Sequence, residues 1–184
     1  MAKIKLNALV ESARGRLGND LVLKRTRSGA TILAKKPEFP ANRKFSKAQR
    51  DHQQRFKRAV TYAKAAQTNP IYVALAKKQK QPAYNVALAD AMYPPRVIEI
   101  DASDYSGQTG EVIRVQAEDD VQVARVHVAI CDTRKRVIEE GEAISDRIRR
   151  WWIYTTQTAE NGVSVKAVAY DLAENEDSLT IHRN

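Results

Sequence analysis

Val112-Ile113-Arg114-Val115-Gln116-Ala117 and, after a polar break, Val126-His127-Val128-Ala129-Ile130 decide how this chain is read. In the first run, β-branched or small apolar residues alternate with Arg114 and Gln116, a period of two that puts one face on a core and the other toward water. The same habit extends outward in both directions. Val97-Ile98-Glu99-Ile100 precedes it, and Val137-Ile138-Glu139, Trp151-Trp152-Ile153-Tyr154, Val163-Ser164-Val165-Lys166-Ala167-Val168-Ala169 and Ser178-Leu179-Thr180-Ile181 follow. Ser106-Gly107, Asp119-Asp120 and Glu160-Asn161-Gly162 supply turns between several of them. About seven short strands in about 90 residues predict an antiparallel β-sandwich over residues 96–184.

Upstream of Tyr93-Pro94-Pro95 the period is helical. Ser46-Lys47-Ala48-Gln49 has the form of a capping box and predicts a helix to about Gln67, with Phe56, Ala59, Val60 and Ala63 as its buried stripe. Asn69-Pro70 predicts a second helix, an N-cap followed by Pro at the first helical position, with Ile71, Leu75 and Tyr72 inward. Gln81-Pro82 opens a third, with Tyr84, Leu88 and Met92 on its apolar side. Before the helices, Leu21-Val22-Leu23-Lys24-Arg25 and Ala30-Thr31-Ile32-Leu33-Ala34 read as a hairpin turned at Arg27-Ser28-Gly29, and Lys36-Pro37-Glu38-Phe39-Pro40 breaks regular structure. Pro94-Pro95 therefore marks the expected boundary between a basic hairpin-and-helix module, residues 1–95, and the β-rich module, residues 96–184.

These modules carry opposite charge. Residues 1–95 hold 20 Lys and Arg against 5 Asp and Glu, while residues 96–184 hold 11 against 17, so a +15 half joins a −6 half in a chain of net charge +9. Such polarity suits either an anionic polymer or the opposite end of another copy. With 43% hydrophobic and 29% charged residues the chain reads as folded. No run approaches the roughly 18 apolar residues of a membrane span. Met1-Ala2-Lys3-Ile4-Lys5-Leu6-Asn7 lacks the apolar region and cleavage site of a Sec signal, so synthesis in the cytoplasm is expected, with a leaderless route outward left open. Cys131 is the sole cysteine, which excludes an internal disulfide and a multi-cysteine zinc site.

Two resemblances add to this reading. Ala117-Glu118-Asp119-Asp120-Val121-Gln122-Val123-Ala124-Arg125-Val126-His127-Val128 and Ala167-Val168-Ala169-Tyr170-Asp171-Leu172-Ala173-Glu174-Asn175 resemble the B–C corner and the end of strand F in the immunoglobulin-like domains of bacterial surface and adhesion proteins, with Glu174 where Gly is usual. The resemblance covers nearly all of residues 96–184. It implies an immunoglobulin-like sandwich, so with the elements read upstream the chain is expected to be α+β: an N-terminal β-hairpin and three short helices, then an antiparallel immunoglobulin-like β-sandwich. It implies little about activity, because this fold hosts many. Gly15-Arg16-Leu17-Gly18-Asn19, Leu23-Lys24-Arg25, Lys36-Pro37, the Ser46–Phe56 segment, Asn69-Pro70 and Tyr84-Asn85 resemble the start of an uncharacterised family of small bacterial proteins. That second likeness implies an architecture and no activity.

No Gly-x-Ser-x-Gly, Walker A, His-Glu-x-x-His or Gly-x-Gly-x-x-Gly occurs, and no enzyme chemistry, cofactor or metal is expected. His52, His127 and His182 are scattered over different elements. His127 and Cys131 share strand parity, yet four residues along a strand is roughly 13 Å, too far for a nucleophile and its base. Asp119, Asp120, Asp171 and Asn175 fall at two corners expected at one end of the sandwich; they could offer oxygen ligands to Ca²⁺, but the holding of tight turns through backbone N–H groups is the favoured reading. Trp151 and Trp152 must point to opposite faces, so one indole lies outside, flanked by Arg149 and Arg150, as a contact residue or under another segment of the chain. Lys47, Arg50, Lys57, Arg58 and Lys64 on the first helix, Arg43 and Lys44 before it, and Lys24, Arg25 and Arg27 on the hairpin make a basic surface for phosphate or for an acidic protein, or simply a solvated face. The expected function is a structural, self-assembling subunit of a filament, sheath or surface layer, the basic module of one copy meeting the acidic sandwich of the next. The alternatives are a nucleic-acid-binding accessory protein and a monomeric binding adaptor.

Overall fold

A computed structural model describes residues 2–3, 14–26, 29–39, 42–146, 151–160 and 162–182. The protein is mixed α+β and divides into two compact units, Met1–Ser46 and Lys47–Asn184.

The first unit is a four-stranded antiparallel sheet. Its strands are β1 (Ala2–Lys3), β2 (Gly15–Leu17), β3 (Leu21–Arg25) and β4 (Thr31–Lys35), in the order β1-β4-β3-β2. β3 and β4 are the expected hairpin, with Leu23 opposite Leu33 and Lys24 opposite Ile32. Thr26 closes its turn: Thr26 N–H donates to Ala30 O at 2.8 Å, and Ala30 N–H donates to Thr26 Oγ1 at 3.0 Å. Gly29, at φ 82°, takes the left-handed backbone such a turn needs, while Arg27 and Ser28 lie outside the described residues. Thr31 is buried, and among the described residues of this unit no other side chain is.

The second unit begins with α1 (Lys47–Ala66), α2 (Pro70–Gln79) and α3 (Ala83–Asp90). Asn69 caps α2 as its sequence predicts, in extended backbone with its side chain accepting from Ile71 N–H at 3.0 Å. Eight strands follow: β5 (Arg96–Asp101), β6 (Val112–Glu118), β7 (Arg125–Cys131), β8 (Val137–Glu142), β9 (Ile144–Asp146), β10 (Trp151–Thr155), β11 (Ser164–Tyr170) and β12 (Glu176–His182). They form two antiparallel sheets, β5-β6-β10-β9 and β12-β11-β7-β8. Ile113, Val115 and Ala117 of β6 share one core with Val126, Val128 and Ile130 of β7 and Val165, Ala167 and Ala169 of β11. On β11 and β7 these are directly opposed pairs, Val165–Ile130, Ala167–Val128 and Ala169–Val126, so period two and register agree.

The three helices do not form a separate body with the hairpin. Their core, Ala63, Tyr72, Ala76, Val86 and Ala87, is covered by Val121 from the segment after β6 and Leu172 from the segment after β11. Tyr62 Oη also donates to Leu172 O at 2.9 Å, and Asn175 Nδ2 donates to Asp90 O at 2.9 Å. The compact units thus divide between Ser46 and Lys47, whereas Pro94-Pro95 marks only the change from helix to strand. The inward face of α1 keeps Ala59 and Ala63 of the expected stripe and loses Phe56. Ala59 and Ala63 are buried with Tyr62 and Ala66 packed beside them, and Phe56 is 46% exposed. Small side chains let α1 approach α2 and α3 closely, which a phenylalanine at the contact would prevent.

Candidate functional site

The basic residues proposed for contact are exposed wherever they are described. Lys24 and Arg25 end β3, and Arg43 and Lys44 follow in the first unit. Arg43 lies over two rings, its guanidinium carbon 5.1 Å from the centroids of both Phe39 and Phe45. Lys47, Arg50, Lys57, Arg58 and Lys64 lie along α1 in the second unit. Arg58 turns with Arg55 toward a shallow cleft that Tyr62, Ala173 and Asn175 also line. Arg27, Arg149 and Arg150 fall outside the described residues.

The tryptophans obey strand alternation. Trp152 packs against the core between the sheets, and Trp151 faces the other way, half-buried, opposite Gln116 and Asp146. Ile153 shares that outer face and is paired with Ile144, which is 78% exposed on the edge strand β9. His127 and Cys131 stay apart on β7, opposite Val168 and Ser164, and His52 and His182 belong to α1 and β12.

The structure adds Asp90, Tyr62 and Tyr72 from the helices to the Asp119 and Asp171 corners that were expected to meet. Asp90, at the end of α3 and 2% exposed, accepts from Tyr72 Oη through Oδ2 at 2.6 Å, and its Oδ1 has no hydrogen-bond partner. Tyr62 Oη stands 2.7 Å from Tyr72 Oη and 2.9 Å from Leu172 O, so a single Tyr62 proton faces two acceptors. The two rings meet edge to face at 6.4 Å. From the sheets come Asp119 and Asp171. Asp119 Oδ2 accepts from Val121 N–H and Gln122 N–H at 2.8 and 2.9 Å. Asp171, fully buried, accepts from Ala173 N–H and Asn175 N–H through Oδ1, both at 2.8 Å, and from Asn175 Nδ2 through Oδ2 at 2.7 Å. Both aspartates therefore hold turns. Asp120 is exposed and stands outside the group.

One oxygen each of Asp90, Asp119 and Asp171 nevertheless lies within 4.8 Å of the others. Burial, against the Tyr72 hydrogen bond and with the charges of Asp171 and Asp119, pulls the Asp90 carboxyl up to about 7. Burial also raises Asp171, outweighing its hydrogen bonds. It raises Tyr72, whose proton is held further by donation to Asp90. Asp90 was missed although its spacing is informative: with Val86 and Ala87 it occupies the i, i+1, i+4 positions of the buried stripe of α3, where a carboxylate needs partners.

No family model and no curated protein matches the chain. It is similar to the crystal structure of an engineered protein at 16% identity and a TM-score of 0.37, over 55% of this chain and 25% of the engineered one. The chain thus spans about a quarter of that protein's length. Among the described residues no helix is long and apolar enough to cross a membrane.

Proposed function

We propose that this chain is a structural, self-associating subunit whose basic N-terminal part meets the acidic β-rich part of a neighbouring copy. The observation that carries the reading is the bare first unit. Its four-stranded sheet buries Thr31 and no other described side chain, while Leu17 is 51%, Leu21 37%, Phe39 67% and Phe45 37% exposed. A small sheet whose described apolar residues, Val22, Leu23, Ile32, Leu33 and Ala34, are only half-buried is marginal by itself in water, and a further surface over it would add the missing burial. An acceptor surface is available on the second unit, where Ile144, Ile153 and Trp151 make an apolar strip at the β9 edge. For the fold itself we read the β-rich part as immunoglobulin-like. The order β5-β6-β10-β9 against β12-β11-β7-β8 supports this, because it follows the A-B-E-D and G-F-C arrangement with one added strand.

Purified full-length protein, followed by sedimentation and electron microscopy at low and high salt with and without DNA, tests the reading. Salt-sensitive assemblies without DNA, weakened by Leu21→Glu, are the expected result; a chain that stays monomeric at every concentration and salt refutes it. The nucleic-acid reading rests on a separate observation: Lys47, Lys57, Arg58 and Lys64 are exposed on α1 and take part in no ion pair among the described residues. DNA binding lost steeply with added salt would favour it.

A further inference from the structure

The three aspartates at the junction of helices and sheets do not balance as a set of turn-holding residues. Turn chemistry accounts for Asp119 Oδ2 and for both oxygens of Asp171, each of which accepts N–H donors. It leaves Asp90 Oδ1 unpartnered on a residue that is 2% exposed, beside two further carboxylates. Buried oxygens are satisfied by a donor or by a cation in nearly all folded proteins. Among the described residues no ion pair reaches Asp90, Asp119 or Asp171. Arg55 and Arg58 line a cleft beside Asn175, and Arg96 lines one beside Asp119 while pairing with Glu118; none of them pairs with any of the three.

We infer that Asp90, Asp119 and Asp171 form a divalent-cation site of the hard, oxygen-liganded class, suited first to Ca²⁺. One oxygen from each residue lies within 4.8 Å of the others. Oxygens coordinated to Ca²⁺ at 2.3–2.6 Å sit up to about 5 Å apart across the ion, so this spacing admits it, and the flexible Ca²⁺ shell suits ligands from separate segments better than the near-ideal octahedron that Mg²⁺ demands. Three carboxylates supply enough charge to neutralise the ion, and water completes the shell. Asp119 is only half-buried and also lines an open cleft of about 560 Å³ with Tyr93, Pro94, Arg96, Glu118 and Asp120, which gives an ion a way in. Tyr72 fixes the Asp90 carboxylate through Oδ2, as an outer hydrogen bond does in a metal site, and Oδ1 is the oxygen left without a donor.

The ligands come from three separate places in the chain: the end of α3, the segment after β6 and the segment after β11. The ion would therefore fasten the helices to the end of the two sheets, and its binding energy would appear as stability of the second unit.

The test uses full-length protein freed of metal with EDTA at neutral pH, titrated with Ca²⁺ and separately with Mg²⁺ by calorimetry and thermal unfolding. The expected result is one saturable Ca²⁺ site per chain, a higher unfolding midpoint with Ca²⁺, and Mg²⁺ binding at least about tenfold weaker. Asp119→Asn keeps an oxygen for the Val121 and Gln122 N–H groups, and Asp90→Asn keeps one for Tyr72; each should weaken Ca²⁺ binding about 10- to 100-fold. Near-ultraviolet circular dichroism of both variants checks that the fold is kept. No heat and no midpoint change up to about 10 mM Ca²⁺, well beyond the weak end of protein Ca²⁺ affinities, overturns the site. Ca²⁺ binding of wild-type strength in both variants overturns it as well. If neither variant folds, the wild-type titration alone decides.

Discussion

Tyr72→Phe is the most informative single change in the second unit. The ring stays and fills the same fully buried space, so packing is retained and the hydroxyl alone is lost. That hydroxyl donates to Asp90 Oδ2 at 2.6 Å, and Asp90 Oδ1 has no partner, so after the change neither oxygen of a carboxyl only 2% exposed accepts a hydrogen bond. Hydrogen bonds to charged groups contribute about 1.5–3 kcal/mol net, and a stranded buried partner adds to the loss, so about 2–3 kcal/mol is expected. In a domain of this size that is a fall in melting temperature of about 5–10 °C. In an Asp90→Asn background the same substitution removes a neutral bond worth about 1 kcal/mol, leaving a coupling energy of about 1–2 kcal/mol in the double-mutant cycle. The pH dependence follows from Asp90. Its folded carboxyl, pulled up to about 7, titrates well above the unfolded value, so its contribution is fully present at acid pH and declines as pH rises through 7. Tyr72 opposes that shift by bonding the ionised form, so the loss in Tyr72→Phe should be larger at pH 8 than at pH 5. Urea unfolding in EDTA at both pH values measures it. A loss under about 0.5 kcal/mol at pH 8, or strict additivity with Asp90→Asn, refutes the reasoning.

Three further outcomes follow from the same structure. Gly162→Ala places a Cβ 2.2 Å from Cγ2 of the buried Ile130 and 3.3 Å from Cys131 O, and should cost about 2–3 kcal/mol by thermal unfolding; an unchanged midpoint would mean that this corner is loose. Glu139, 9% exposed, accepts from Tyr154 Oη and Gln157 N–H at 2.7 Å and from Thr158 N–H and Oγ1. Burial pushes its carboxyl up, but the Thr158 and Tyr154 hydroxyls and the two backbone N–H groups outweigh this and hold it below the usual range. The stability it contributes is present above the unfolded glutamate value and fades as pH falls, so Glu139→Gln should cost about 2 kcal/mol at pH 7 and less at pH 3 in urea titrations. Ile144→Asp, on an exposed edge position, should change monomer stability by about 1 kcal/mol or less while lowering any self-association seen by sedimentation; a collapse of the fold would place Ile144 in a core after all.

Much of the second unit was legible because strand alternation survives packing. All seven expected strands are present, and β9 escaped because three residues, Ile144–Asp146, are too few to display a period. The Asn69-Pro70 and Gln81-Pro82 helix starts held because they rest on local chemistry, a side-chain cap and a missing N–H. Glu174 shows where local expectation bends. It stands where Gly is usual and adopts φ 62°, held between an Asp171 that bonds the N–H groups on either side of it and an Arg125 that pairs with its carboxylate while lying 3.7 Å over the Tyr170 ring. The phase of α1 was legible in Ala59 and Ala63, which are buried as expected; what the spacing could not show is where the contact stops, one turn short of Phe56, because α2 and α3 meet only the later part of the stripe.

By itself, then, the sequence determined the three helices, the β3–β4 hairpin, seven of the eight later strands and the opposed charges before and after Pro95, because capping, proline geometry and alternation act within a few residues. Tertiary structure alone decided that the helices belong with the sheets rather than with the basic hairpin, and that Asp90 faces Asp119 and Asp171. Those outcomes depend on Tyr62, Tyr72, Leu172 and Asn175, residues up to 110 positions apart whose hydrogen bonds no local pattern encodes.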